Sequence, residues 1–215
     1  MSRGYIFDLD GTLADSYAAL TASINFARAA AALPPLDVDA LHRMVGRGLR
    51  NLVRVGVPGM DEDRAISLFT EHHPSVVVSG TRLLPGARDV LTELGRRGLP
   101  VAIASNKPDR FTREIVDAFD LADTVAEIWG PDRAGAPKPD PAMLVGAAES
   151  LGLSDGGAVY VGDMTIDVEV GRAAGLPVWA VPSGGSSPEE LRAAGPDVLL
   201  TDLHDLLRHD EGRTR

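Results

Sequence analysis

Reactive side chains stand at the ends of short apolar runs in this sequence of 215 residues. These side chains, each with the run that precedes it, are Asp8 and Asp10 after residues 5–7, Ser105 and Asn106 after residues 100–104, and Asp163 after residues 158–161. In an open α/β sheet, ligands bind at the carboxyl ends of the strands. If the three runs are strands of one such sheet, the side chains meet in one crevice although they are distant in sequence.

A crevice lined by several carboxylates requires a cation. The carboxylates repel one another, and some would take up protons unless a positive ion lies among them. The sequence has no cysteine and no histidine cluster, so its oxygen donors suit a hard ion such as Mg²⁺. Asp163 and Asp167 are four residues apart, and a helix that began near Asp163 would place both carboxylates on one face, where they can share one ion. We therefore predict Mg²⁺ as the cofactor.

Lys138 is the cation best placed to join these acids. It lies in the run Pro137-Lys138-Pro139, and prolines on both sides deny it a helix interior and stiffen the loop. A lysine at the start of a helix is unfavourable with the helix dipole unless it neutralises a negative group. We expect Lys138 to neutralise the nearby acids.

Composition limits the class of protein. Hydrophobic residues make up 44% of the chain, which is enough for a sizeable core. The absence of cysteine excludes disulfides, thiolate zinc sites and cysteine nucleophiles. The formal net charge of −10, without a basic stripe, argues against a nucleic-acid partner. No signal peptide is visible and no apolar run approaches the ~18 residues of a membrane helix, so we expect a cytoplasmic protein with no membrane partner.

The elements that must hold the reactive residues follow a β-α-β-α pattern. Six apolar runs read as strands, and they cover residues 5–7, 100–104, 125–129, 158–161, 177–181 and 198–200. Helical stripes separate them, which predicts an α/β fold with a doubly wound parallel sheet, or Rossmann-like core. Residues 15–80 have helical periodicity instead, with only Val76 to Val78 expected to be extended. The sequence thus predicts a core of residues 1–14 and 81–215 and a helical cap of residues 15–80, inserted after the first strand.

Four motifs now resemble those of the haloacid dehalogenase superfamily. They are Asp8-Leu9-Asp10-Gly11-Thr12-Leu13, Ser105-Asn106, Lys138-Pro139, and Gly162-Asp163 through Asp167. Their order and spacing match, the resemblance covers essentially the whole chain, and the insert is similar to the family's small helical cap. Asn106-Lys107-Pro108 resembles the phosphoglycolate phosphatase branch in particular.

The resemblance implies a role for each core residue. Asp8 would attack phosphorus and form an aspartyl-phosphate, while Asp10 would protonate the leaving alcohol and then deprotonate water. Two positions apart on a strand, these two side chains are expected on one face. Mg²⁺ would be held by Asp8, the Asp10 backbone carbonyl and Asp163, with Asp167 binding it directly or through water. Lys138 and the Ser105 hydroxyl, with backbone donors around Leu9 and Asn106, would neutralise the phosphoryl group.

The resemblance also limits the class of reaction and substrate that we expect. True dehalogenases of the superfamily generally lack the second aspartate, so Asp10 favours phosphate esters. The implied activity is that of a Mg²⁺-dependent phosphatase acting on a small phosphorylated metabolite, with 2-phosphoglycolate as the best single substrate. Arg47, in the glycine-rich run Val45-Gly46-Arg47-Gly48-Leu49, could pair with the substrate carboxylate. Alternatives are a phosphosugar mutase of the β-phosphoglucomutase type and a pyrophosphate or nucleotide phosphatase. The chain is expected to be a monomer or a homodimer.

Each assignment has a simpler alternative. Asp8 and Asp10 precede a glycine and could be turn residues. Ser105 could be a helix N-cap. Lys138 could be a solvated loop lysine, Asp167 a surface residue of a helix, and Asn106, Lys107 and Arg47 merely exposed. The five histidines are read as structural or exposed.

Overall fold

The structure is a computed structural model that describes residues 4–153 and 157–213. Its strands are β1 (Gly4–Phe7), β2 (Ala14–Asp15), β3 (Arg82–Leu83), β4 (Val101–Ala104), β5 (Val125–Trp129), β6 (Ala158–Gly162), β7 (Val178–Ala180) and β8 (Val198–Leu199). Its helices are α1 (Tyr17–Ala30), α2 (Val38–His42), α3 (Leu49–Gly56), α4 (Glu62–His72), α5 (Ala87–Arg96), α6 (Asp109–Ala118), α7 (Pro131–Ala134), α8 (Ala142–Ser150), α9 (Thr165–Ala173), α10 (Pro188–Ala194) and α11 (Asp205–Arg213). A 3-10 helix, His73–Ser75, follows α4.

A parallel sheet forms the centre of the described part of the chain. Its strand order is β5-β4-β1-β6-β7-β8, and every neighbouring pair is parallel. β1 therefore lies between β4 and β6, the two strands from which the chain continues to Ser105 and Asp163. The predicted doubly wound α/β fold is confirmed, and its six strands are those predicted from the apolar runs.

Both faces of the sheet are covered. On one face Tyr5 and Phe7 pack with residues of α5 and α6, and on the other Ile6 packs with residues of α8. Burial on both faces explains why the strand sequences are continuously apolar instead of alternating. The sheet is consequently a rigid support for the groups at its carboxyl edge.

Residues 16–81, called the helical segment below, lie between β2 and β3. These two strands pair antiparallel, with Ala14 opposite Leu83, and so form the paired entrance and exit of the segment. The segment contains α1 to α4 and the 3-10 helix, and α1 packs against α4. Its apolar residues, such as Leu20 and Phe69, belong to the same buried cluster as Phe7 of the sheet.

Two local predictions differ from the structure. Val76 to Val78 are not extended, because the amides of Val76 and Val77 bond to the His73 carbonyl, at 3.0 and 2.8 Å, in successive turns. Val77 is fully buried, so packing of the apolar side chain outweighs the strand preference of valine. β1 ends at Phe7, so Asp8 and Asp10 lie on the loop that follows and do not share a strand face.

Among the helices of the described residues, none is both long enough and apolar enough to cross a membrane.

Candidate active site

Asp8 lies immediately after β1, at the middle of the sheet's carboxyl edge. Its amide bonds to the Val161 carbonyl of β6 at 2.8 Å, and its Oδ1 accepts from the Leu9 amide at 2.7 Å. The side chain is buried, and burial raises its pKa to about 6 against the opposing effect of the Lys138 ammonium. The carboxylate is thus held in a fixed orientation in a place where its negative charge is costly.

Asp8, Asp163 and Asp167 bring three buried carboxylates together. One oxygen of each lies within 4.8 Å of an oxygen of the other two. Asp163 is oriented by the Thr12 hydroxyl, 2.7 Å from Oδ1, and by the Gly185 amide, 2.6 Å from Oδ2. Burial, followed by the charges of Asp167 and Asp8, raises the pKa of Asp163 well above its ordinary value. A set of buried carboxylate oxygens that repel one another fits a hard divalent cation such as Mg²⁺.

Asp167 differs from the other two acids because both of its oxygens are already bonded to protein donors. Oδ1 accepts from the Lys138 ammonium at 2.8 Å and from the Tyr160 hydroxyl at 2.9 Å. Oδ2 accepts from the backbone amides of Asp163, at 3.1 Å, and Met164, at 2.9 Å. Helix α9 begins at Thr165, not near Asp163, so Asp167 reaches back over the start of the helix. Its geometry suits a residue that orients Lys138 and the Asp163 loop.

Lys138 lies among the acids, as its place between prolines suggested. Its ammonium is 2.9 Å from Asp8 Oδ2, 2.8 Å from Asp167 Oδ1 and 2.9 Å from the Tyr160 hydroxyl. Burial lowers its pKa, but Asp167 and Asp8 outweigh burial and raise this pKa above its ordinary value. Its three N–H donors therefore have three acceptors, and the group keeps its positive charge beside Asp8.

Asp10 lines the same cavity but points to different partners. Its Oδ1 accepts from the Ser16 hydroxyl at 2.5 Å, and its Oδ2 lies 3.0 Å from the Lys107 ammonium. The Lys107 ammonium is also 3.4 Å from the Ser16 oxygen. Asp10 is therefore held at the border between the sheet edge and the first residue of the helical segment.

A cavity lies between the sheet edge and the helical segment. Its lining from the core includes Asp8, Asp10, Ser105, Lys107 and Lys138. The cavity therefore has two carboxylates and two ammonium groups around one space, a combination that suits attack on an anionic ester.

A sequence model of one family, described as haloacid dehalogenase-like hydrolase, matches residues 5–181 of this chain. The chain belongs to this family. The match includes all four motifs whose side chains meet at the sheet edge.

Several relatives of this hydrolase are named phosphoglycolate phosphatases, and they match it over most of their own length. The phosphoglycolate phosphatase of Rhodospirillum rubrum is 35% identical over 96% of this chain and 90% of its own length. That of Escherichia coli K12 is 30% identical over 95% of this chain and 91% of its own length. The crystal structure of a predicted phosphoglycolate phosphatase from Haemophilus somnus 129pt is 25% identical, covers 97% of this chain and 98% of its own, and has a TM-score of 0.90. Sequence and fold thus agree with the resemblance to the phosphoglycolate phosphatase branch.

Ser105 and Asn106 of this hydrolase follow β4. The Ser105 hydroxyl, whose proximity opposes the rise in the Asp8 pKa, accepts from the Lys107 amide at 3.4 Å. The Asn106 side chain joins two loops, because its Oδ1 accepts from the Lys138 amide at 2.7 Å and its Nδ2 donates to the Gly46 carbonyl at 2.9 Å. Asn106 thus connects the helical segment to the loop that carries Lys138.

Arg47 is exposed and does not line the cavity, whereas its neighbours Gly46 and Gly48 do. Its predicted contact with a substrate carboxylate stays a prediction, and the present arrangement gives it no support.

Sequence reasoning missed several residues of the site. Thr12 and Gly185 orient Asp163, Tyr160 contacts both Lys138 and Asp167, and Lys107 is paired with Asp10. Thr12 lay inside a recognised motif, so its hydroxyl was a usable signal. Tyr160 lies within an apolar strand and only its hydroxyl reaches the site, so the sequence pattern did not indicate its role.

Glycine is required where the backbone passes close to Asp163. Gly11 has a φ of +91°, and a Cβ there would lie 2.4 Å from Asp163 Oδ2. A Cβ on Gly184 would lie 2.0 Å from the same oxygen. Two loops thus approach Asp163 so closely that neither of these positions accepts a side chain.

Proposed function

We propose that this hydrolase is a Mg²⁺-dependent phosphatase that cleaves small phosphate monoesters through an aspartyl-phosphate on Asp8. The proposal depends on one observation, the buried Asp8 carboxylate that contacts Lys138 and lies beside Asp163 and Asp167. A carboxylate fixed in this way can act as a nucleophile without rotating, and the adjacent ammonium offsets its repulsion from a phosphate dianion.

The reaction divides into two displacements at phosphorus. In the first, an oxygen of Asp8 forms a bond to phosphorus while the bond to the ester oxygen breaks, and Asp10 gives its proton to the departing alcohol. In the second, Asp10 takes a proton from water, whose oxygen displaces Asp8 and releases phosphate. Lys138, which contacts Asp8, and the Ser105 hydroxyl, which lines the same cavity, hold the phosphoryl oxygens in both steps.

Mg²⁺ fits the carboxylates of this site. Asp8 and Asp163, with the Asp10 backbone carbonyl, would hold the ion, and Asp167 would support it through water, because its own oxygens are bonded to four protein donors. When bound, the ion supplies positive charge to the phosphoryl oxygens and to the Asp8 carboxylate.

The substrate we propose is 2-phosphoglycolate. The names of the relatives support it. We further propose that residues 1–14 and 81–215 act as the catalytic core and residues 15–80 as a cap over it. A cytoplasmic location suits an enzyme of small phosphorylated metabolites.

A panel of phosphate esters, assayed with Mg²⁺ and with EDTA, tests the proposal. We expect metal-dependent phosphate release by the wild type, with 2-phosphoglycolate among the best substrates, and near-complete loss in Asp8→Asn. A hexose 1-phosphate in the panel distinguishes a mutase, which would form an isomer instead of free phosphate. Turnover in Asp8→Asn as fast as in the wild type would refute the assignment of the nucleophile.

A further inference from the structure

The helical segment brings no charge to the cavity. The residues that it contributes to the lining are Leu20, Val45, Gly46, Gly48, Leu49, Leu52, Phe69 and His73. His73 is packed against the rings of Phe69 and Phe111, and burial followed by the charge of Lys107 lowers its pKa to about 3. His73 is therefore neutral, and an anionic group on the alcohol portion of a substrate finds no cation on this side.

The core provides two ammonium groups to the lining, and one of them is fully occupied. Lys138 has three acceptors for its three N–H donors and lies beside the nucleophile, where the phosphoryl group must bind. It is not available to a second anionic group of the same substrate.

Lys107 is the other ammonium, and it has room for a further partner. Its side chain is only 2% exposed, yet among the described residues only Asp10 and Ser16 accept from its three N–H donors. Leaving a donor of a buried charged group unpaired is costly. An anionic group that enters the cavity would satisfy this donor.

The position of Lys107 also determines which part of the substrate must carry the anionic group. Its ammonium is 3.0 Å from Asp10, the residue that contacts the ester oxygen in the proposed reaction. A carboxylate on the carbon atom next to that oxygen is therefore within reach of Lys107.

We propose that Lys107 is the residue that determines specificity, by binding a carboxylate on the alcohol portion of the substrate. The favoured substrates are phosphate esters of short 2-hydroxy acids, of which 2-phosphoglycolate is the smallest. This inference rests on the proposed phosphatase function, and it assigns to Lys107 the contact that the sequence had suggested for the exposed Arg47.

A matched pair of substrates tests the inference, because 2-phosphoglycolate and 2-hydroxyethyl phosphate differ only by a carboxylate in place of a hydroxymethyl group. We expect the wild type to prefer the acid in kcat/KM by about 10- to 100-fold, the range of one charge-assisted hydrogen bond. Lys107→Met should abolish this preference, Lys107→Arg should restore part of it, and the control Arg47→Met should keep it in full.

A purely positioning role for Lys107, through Asp10, predicts a different result. Lys107→Met would then slow both esters by the same factor and leave the preference intact, which would overturn the inference. Loss of the preference in Arg47→Met would overturn it as well.

Binding to an inactive protein separates this inference from the proposed function. Isothermal titration of 2-phosphoglycolate should give a Kd about 10- to 100-fold weaker for Asp8→Asn/Lys107→Met than for Asp8→Asn. If binding depends on Lys107 but the wild type hydrolyses no ester, the proposed function fails and the inference stands. If the wild type hydrolyses esters but the two Kd values are equal, the inference fails and the proposed function stands.

Discussion

Replacing Asp8 with asparagine should stabilise the metal-free protein while it removes activity. Burial raises the pKa of Asp8 from 3.8 to about 6, and the charge of Lys138 only partly offsets this effect. A tenfold change in a proton equilibrium corresponds to about 1.4 kcal/mol, so an ionised Asp8 costs the folded state about 3 kcal/mol. Asparagine has nearly the same shape and no charge, and therefore avoids this cost.

The effect should depend on pH in a defined direction. Between the unfolded-state pKa of 3.8 and the folded-state value of about 6, folded wild type holds a proton on Asp8 that the unfolded chain has lost. The free energy of unfolding of the wild type therefore falls as the pH rises through this interval. Asp8→Asn lacks this contribution, so the two proteins should have similar stability near the lower value and differ by up to about 3 kcal/mol above the higher one.

Urea unfolding in EDTA, at pH values on both sides of this interval, measures the difference. In a thermal melt, about 3 kcal/mol corresponds to a Tm about 6–12 °C higher for a protein of this size. Asp123 is exposed, so the control variant Asp123→Asn should leave the stability unchanged. Mg²⁺ should remove the stability advantage of Asp8→Asn, because the ion favours an ionised carboxylate. The reasoning is refuted if metal-free Asp8→Asn is the less stable protein above pH 6 or if its advantage does not vary with pH.

Two other variants test the contacts around Lys138. Lys138→Met leaves Asp8 and Asp167 buried without their cation. It should therefore lower the free energy of unfolding by about 3–5 kcal/mol, which urea unfolding measures. It should also abolish phosphate release, which a phosphate assay measures. Retained activity in Lys138→Met would contradict its placement. Asn106→Ala removes the bonds to the Lys138 amide and the Gly46 carbonyl. It should lower the free energy of unfolding by about 1–3 kcal/mol and reduce kcat. Unchanged kinetics would show that this connection has no role in turnover.

The fold was largely predictable because its signals are local. Strands buried on both faces must be apolar throughout, and the sequences of β1, β4 and β6 have this property. Helix α10 begins with Ser187 and Glu190 in the reciprocal bonds of a capping box, and the residue types of this pattern are visible in the sequence. The prediction that Val76 to Val78 are extended was wrong, because burial of Val77, not pairing with another strand, decides their conformation.

The site was predictable only in part, because its contacts join distant parts of the chain. Asp8, Lys138 and Asp163 could be grouped from motif order and from the rule that ligands bind at strand ends. Lys107 could not be assigned, since its partner Asp10 is far away in sequence and a lysine after a strand is usually exposed. The bonds of Asp167 depend on where α9 begins, and the sequence suggested a start two residues too early.

The contacts that close the site also have a consequence for folding. Thr12 bonds to Asp163 across 151 positions, and Ser183 bonds to the Gly11 carbonyl across 172. We expect such contacts to form only after β6 has paired with β1, so that the acids meet late in folding and their mutual repulsion acts on a nearly complete structure. An ion bound there should therefore act chiefly by slowing the opening of the finished protein, and hardly at all by hastening its assembly.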